Sequence, residues 1–114
     1  MRCLVVIEAF AYPAGEAHRR TRTWCGLWDE PLAAWAGACT PDGFAGLVVP
    51  SNTLIGQVSP HMPLLLAGTD QEHWLEGASM HTLSPPPASE AWFLEASDER
   101  WSTGRPVSEA DGGA

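Results

Sequence analysis

MRCLVVIEAFAYP, residues 1–13, is the stretch whose reading decides the fold. One arginine before an apolar run, with Ala9-Phe10-Ala11 behind it, imitates a secretory leader. A cysteine so early imitates an exposed nucleophile. β-Branched and aromatic residues running to a proline make an ordinary strand. The leader reading fails on length: Glu8 stops the apolar run that begins at Cys3, short of the roughly 7–15 apolar residues a leader needs. We therefore read an interior strand over 2–11 that ends at Pro13 and turns at Ala14-Gly15-Glu16.

Composition agrees with a folded chain. The 114 residues suffice for one domain at most, and 45% hydrophobic content with six Trp argues against intrinsic disorder. No run approaches the ~18 apolar residues of a membrane span, so a soluble, cytoplasmic protein without a membrane partner is expected. Three Cys with no CxxC pair give neither a disulfide framework nor a zinc-knuckle spacing. Cys25 and Cys39 are candidates to face each other on neighbouring strands, although burial as small hydrophobes is the usual role of such residues.

The charge is lopsided. There are six Arg and no Lys, and the net charge is −8. Residues 1–68 carry four Arg against five acids, and residues 69–114 two against nine. A nucleic-acid partner normally meets a clustered basic face. Only Arg19, Arg20 and Arg22 form a local cluster, and its plainer reading is a solvated turn flank.

Along the chain, Arg22 to Trp28 alternates Thr23, Cys25 and Leu27 against Trp24, Gly26 and Trp28, which fits a strand with two differently lined faces. Leu32 to Cys39, holding Gly37, reads as a buried strand. Thr40-Pro41-Asp42-Gly43 is a turn, followed by short strands over Phe44–Val49 and Leu64–Leu66. Thr69-Asp70-Gln71-Glu72 has the form of a capping box, with Trp74 and Leu75 as the apolar face and Gly77 as the left-handed terminus. Leu83-Ser84-Pro85-Pro86-Pro87 is a polyproline connector, Ala91–Leu94 a last strand, and residues 101–114 a flexible tail.

Four of these stretches, taken in order, resemble the SRAP family (SOS-response-associated peptidase), whose members process abasic sites in single-stranded DNA by forming DNA–protein cross-links in the DNA damage response. RCLVVIEAFAY resembles the family strand that runs to a functional Glu. RRTRTWC at 19–25 and PLAAWAGAC at 31–39 are similar to its next strands. LVVPSNTLIGQVSPHMPLLL at 47–66 resembles its Asn followed by His-Asp-Arg-Met-Pro, and the DQEHWL helix follows as in the family. The resemblance covers residues 2–77. It implies an incomplete, partly barrel-like version of the family fold within an α+β class: a mixed, mostly antiparallel sheet over residues 1–100 with one short capped helix. It also implies that a missing N-terminal half supplies the nucleophile, a second functional Asn and much of the sheet.

The departures fall on the chemistry. The family Glu position holds Tyr12 and the His position Ser59, while Asp-Arg becomes Pro60-His61. Cys3 matches an internal strand cysteine rather than the family nucleophile, whose reaction needs thiol and α-amine on one residue. No catalytic residue is therefore expected, and no cofactor. What the resemblance leaves is a degenerate, truncated relative, a gene remnant or half of a split protein. Arg19, Arg20, Arg22, Asn52 and His61 are its candidate contacts to single-stranded DNA, and its open edges are candidates for self-association or for pairing with a complementary N-terminal half. A small protein-interaction module built on exposed Trp is the alternative. A metal site from His61, His73 and His81 lacks i, i+4 spacing, and none is expected.

Overall fold

The computed structural model describes residues 1–107. Among these residues the fold is α+β, with short antiparallel strands in three sheets and the α-helix Thr69–Leu75, and the sheets do not close into a barrel. The opening stretch is two strands rather than one. β1 (Arg2–Ile7) and β2 (Phe10–Ala14) belong to different sheets, and the chain turns the corner at Glu8-Ala9. Glu8 is exposed there, so the acid that breaks the apolar run marks the place where the strand leaves its first sheet.

β1 pairs along its whole length with β4 (Ala33–Thr40), from Arg2 opposite Ala38 to Ile7 opposite Ala33. The other edge of β4 is shared. Its C-terminal half takes β5 (Gly43–Gly46) through the turn at Pro41-Asp42, and its N-terminal half takes β8 (Leu65–Leu66). Ala36 sits at the junction: its N–H donates to Leu64 O at 2.9 Å and its carbonyl accepts from Leu47 N–H at 2.9 Å. Beyond Leu47 the chain peels off β4, and β6 (Val48–Pro50) pairs with β7 (His61–Pro63) instead. The strand expected at 44–49 is thus divided at Leu47, where its partner changes, while that expected at 64–66 is found as β8, with the unforeseen β7 before it and the change of partner at Leu64.

The remaining sheet has the order β2-β3-β9, with β3 (Thr21–Leu27) central and β9 (Trp92–Arg100) longer than the expected Ala91–Leu94. β3 shows the alternation read from its sequence, burying Thr23 and Cys25. Cys25, Ile55, Met62, Leu65 and Trp92 form the core on this side, joined by Phe10, Tyr12 and Trp35. A second cluster, Ala36, Leu64, Leu66 and Trp74, lies between the β1–β4 sheet and the helix α1 (Thr69–Leu75).

α1 begins differently from a capping box. Gly68 is the cap, at φ 56 and ψ −132, and no side chain caps the helix. Entry through a left-handed glycine leaves Thr69 already helical. The first-turn amides of Asp70 and Gln71 donate instead to the carbonyls of Ala67 (3.2 Å) and Gly68 (3.3 Å). The exit follows expectation: Gly77 adopts φ 87 and Ala78 N–H reaches back to His73 O at 2.9 Å. Of the expected apolar pair, Trp74 is buried, whereas Leu75 is 53% exposed.

Trp74 ties α1 down. Its indole N–H donates to Cys3 O (3.0 Å) and Gly37 O (3.2 Å), one from each of the paired strands beneath. Arg2 lies over its ring at 4.0 Å and donates to Trp74 O and Ala78 O. Cys39 faces Cys3 rather than Cys25, because Cys3 and Cys39 are on β1 and β4 whereas Cys25 is on β3. Burial first, and then the Cys39 thiol, push the Cys3 thiol up, with the N-terminal ammonium opposing. Of the expected tail, Trp101 to Pro106 turn back onto β9: Gly104 N–H donates to Arg100 O, Arg100 N–H to Arg105 O, and Pro106 bridges Glu99. Residues 108–114 lie outside the described residues.

Candidate functional site

Tyr12 and Ser59, far apart in sequence, converge on one backbone segment. β2 pairs Tyr12 with Thr23 and directs the phenol toward β7, where its O–H donates to His61 O at 2.6 Å. The Ser59 hydroxyl accepts from His61 N–H at 3.3 Å. Burial and the neighbouring Cys25 thiol push the Tyr12 phenol up, and the Ser59 hydroxyl offsets part of that. Tyr12 is therefore a neutral donor at pH 7. Neither Tyr12 nor Ser59 is a general base near neutrality, and each hydroxyl is bonded to the His61 backbone.

The loop between β6 and β7 brings Asn52 to the same region. Ser51 N–H donates to Pro60 O at 3.0 Å, closing the loop at its base. Asn52 Oδ1 accepts from Ile55 N–H at 2.8 Å and starts the 3₁₀ turn Ile55–Gln57. This is the turn-forming role its residue type predicts. Its amide Nδ2, together with Ser51 Oγ, is buried without a hydrogen-bond partner among the described residues. His61 itself is exposed, and its contacts to this group are made by backbone atoms.

The three arginines gather elsewhere, at the end of the β2-β3-β9 sheet. Thr21 pairs with Arg100, and Trp101 N–H donates to Arg20 O at 2.9 Å. The Arg22 guanidinium donates to Trp101 O at 3.2 and 3.3 Å. The structure thus divides the five candidate nucleic-acid contacts into two sets: Asn52 and His61 on the β6–β7 hairpin, and Arg19, Arg20 and Arg22 beside Arg100 and Trp101. Arg100, Trp101 and His18 are missed by sequence reasoning because only strand register brings β9 alongside the loop before β3. His61, His73 and His81 lie on β7, on α1 and in the 3₁₀ turn Met80–Thr82. Among the described residues, no group of three His, Cys, Asp or Glu gathers. No helix among them is long and apolar enough to cross a membrane.

No family model matches the chain, and no curated protein matches it. Among solved structures, it is similar to a crystal structure of a protein from Bacteroides thetaiotaomicron, with a TM-score of 0.67 at 20% identity. The match covers 84% of this chain and 49% of that one, so this fold corresponds to about half of a longer polypeptide.

Proposed function

We propose that this chain is the C-terminal portion of an SRAP-type domain, related to proteins that process abasic sites in single-stranded DNA, and that it has lost their covalent chemistry. The convergence of Tyr12 and Ser59 carries this reading. These are the positions where the resemblance requires a Glu and a His to act together, and here they meet through His61. On this reading the two ionisable groups of an acid–base pair are replaced by the hydroxyls of Tyr12 and Ser59. Cys3 does not restore the reaction: it lies inside the β1–β4 ladder, opposite Gly37, with its carbonyl engaged by Trp74. Ring closure on a sugar aldehyde needs a primary amine on the same residue as the thiol.

The half-length correspondence to the Bacteroides protein supports an incomplete domain. So do the outer edges of β1 and β2, each paired on one side only among the described residues. Val6 (65% exposed), Trp28 and Phe44 add apolar surface that a missing half, or a second copy, would cover. The experiment is incubation of the purified chain with an abasic single-stranded oligonucleotide, resolved on a denaturing gel. The expected result is free oligonucleotide only; a denaturation-resistant shifted band overturns the loss of chemistry.

A further inference from the structure

Three sulfur-bearing side chains, Met1, Cys3 and Cys39, share one face of the β1–β4 ladder. Cys3 stands opposite Gly37. Two positions along, Met1 and Cys39 stand opposite each other: Cys39 N–H donates to Met1 O at 2.7 Å, and the Met1 ammonium donates to Cys39 O at 3.1 Å. Side chains alternate along a strand, so these residues point one way while Arg2 lies over Trp74 on the other. Gly37 has no side chain to fill the space between the two thiols; a Cβ there would fall 3.3 Å from Cys3 Sγ. The thiols are close enough to act on each other: after burial, Cys39 is what pushes the Cys3 thiol up, and the Met1 ammonium opposes it. The reading of the Tyr12 region gives these sulfurs no role.

The register decides what such a pair can hold. Residues diagonal to each other across a ladder have Cα atoms about 7–8 Å apart, beyond the roughly 6.8 Å that a disulfide tolerates. An ion between the thiols lifts that limit, because two metal–sulfur bonds of about 2.3 Å span about 4.6 Å. Zinc demands a tetrahedron, and among the described residues no group of three His, Cys, Asp or Glu gathers to supply one. Copper(I) is satisfied by two or three soft ligands, thiolate and thioether foremost. Met1 is 93% exposed, so its thioether can swing onto an ion beside Cys39. Met1 and Cys39 also line one groove of about 400 Å³, with Phe44 of β5 opposite, through which the site is reached from solvent.

We infer that Met1, Cys3 and Cys39 form a copper(I) site, with the two thiolates as principal ligands and the Met1 thioether as the third. Binding exchanges two thiol protons for one monovalent ion, so the occupied cluster carries one net negative charge and no electron is transferred. The Met1 ammonium, held at Cys39 O, lies beside that charge and favours it. Cys25 takes no part, because it is buried on β3 in the other sheet. The site uses none of the groups around Tyr12 and does not depend on the reading of that region.

The test is anaerobic titration of the reduced 114-residue chain with copper(I) in competition with the chromophoric chelator bicinchoninate. Each chain should withdraw a single ion from the chelator, and ultraviolet thiolate-to-copper charge-transfer absorption should rise to the same end point. Altering a group that merely orients a metal ligand costs about 10–100-fold in affinity, so Cys3→Ser and Cys39→Ser should each lose about a hundredfold or more. Norleucine in place of every methionine, which removes the weaker thioether ligand, should lose about tenfold. Cys25→Ala should bind as wild type does, and circular dichroism confirms that each variant is folded. Failure to withdraw copper from the chelator, undiminished affinity in Cys3→Ser or Cys39→Ser, or an equal loss in Cys25→Ala overturns the inference. So does full affinity in the norleucine chain, or zinc bound as tightly as copper(I).

Discussion

Replacing Trp74 by Phe probes how α1 is held. The indole N–H serves two strand carbonyls at 3.0 and 3.2 Å, and losing it should cost about 1 kcal/mol. A phenyl ring also leaves part of the indole volume empty at a site only 4% exposed, worth about another 1 kcal/mol. The smaller ring weakens the Arg2 contact at 4.0 Å by a few tenths of a kcal/mol. The sum is about 2–3 kcal/mol, a large share of the roughly 5–15 kcal/mol that keeps a domain folded. Urea titration followed by far-UV circular dichroism should show the midpoint falling without a change in slope, and the melting temperature should drop by about 10 °C. In a double-mutant cycle, Arg2→Ala and Trp74→Phe should couple by about the same few tenths of a kcal/mol. A Trp74→Phe variant within 0.5 kcal/mol of wild type, or a cycle with no coupling, would refute the claim that one side chain fastens the helix to both strands.

Gly46→Ala should destabilise by about 2–3 kcal/mol, since the new Cβ would fall 2.1–2.6 Å from the ring of Trp35, which is itself held by its bond to Leu47 O. Gly26→Ala, which meets the edge of Phe93 at 2.7–2.8 Å and the Glu8 carbonyl at an ordinary 3.5 Å, should cost less. Thermal melts of the two variants give the order, and its reversal would locate the rigid contact wrongly. Burial pushes the Cys25 thiol up to about 11, above its ordinary 9.0, so the unfolded chain loses that proton first as pH rises. Stability from this residue is intact below pH 9 and falls between pH 9 and 11 by on the order of 2 kcal/mol. Urea midpoints at pH 8 and 10.5 should therefore diverge more in wild type than in Cys25→Ala, and equal divergence would show that another group governs the alkaline limb.

Local pattern made much of this fold legible. The alternation of Thr23, Cys25 and Leu27 placed β3, the small residues around Gly37 placed β4, and Gly77 placed the end of α1. What local pattern misses is a change of partner. Residues 2–11 carry continuous strand propensity, yet the chain crosses between sheets at Glu8-Ala9; residues 43–50 do the same at Leu47. Thr69 and Glu72 have the residue types of a capping box, but the positive φ of Gly68 decides the entry before the threonine can act. The Tyr12–Ser59 meeting was visible only as two substituted positions of a resembling family, without the hydrogen bond to His61 that joins them. The arginine end was half visible, because Arg19, Arg20 and Arg22 are consecutive or nearly so, whereas Arg100 and Trp101 arrive only through the β3–β9 register.

The gathering of arginines makes the isoelectric point of about 4.7 a poor guide to this molecule's encounters. Its longest dimension is 53 Å, several screening lengths at physiological ionic strength, where the Debye length is about 8 Å. A polyanion close to Arg19 and Arg20 then feels the nearest guanidinium groups, partly offset by Glu16, Asp98 and Glu99 nearby in sequence, and little of any charge several screening lengths away. In dilute salt the whole dipole acts: it exerts a torque that turns the cationic end forward while the total charge slows approach. Orientation is thereby selected before contact, and a cation-exchange resin should retain a protein that titration alone would class as an anion.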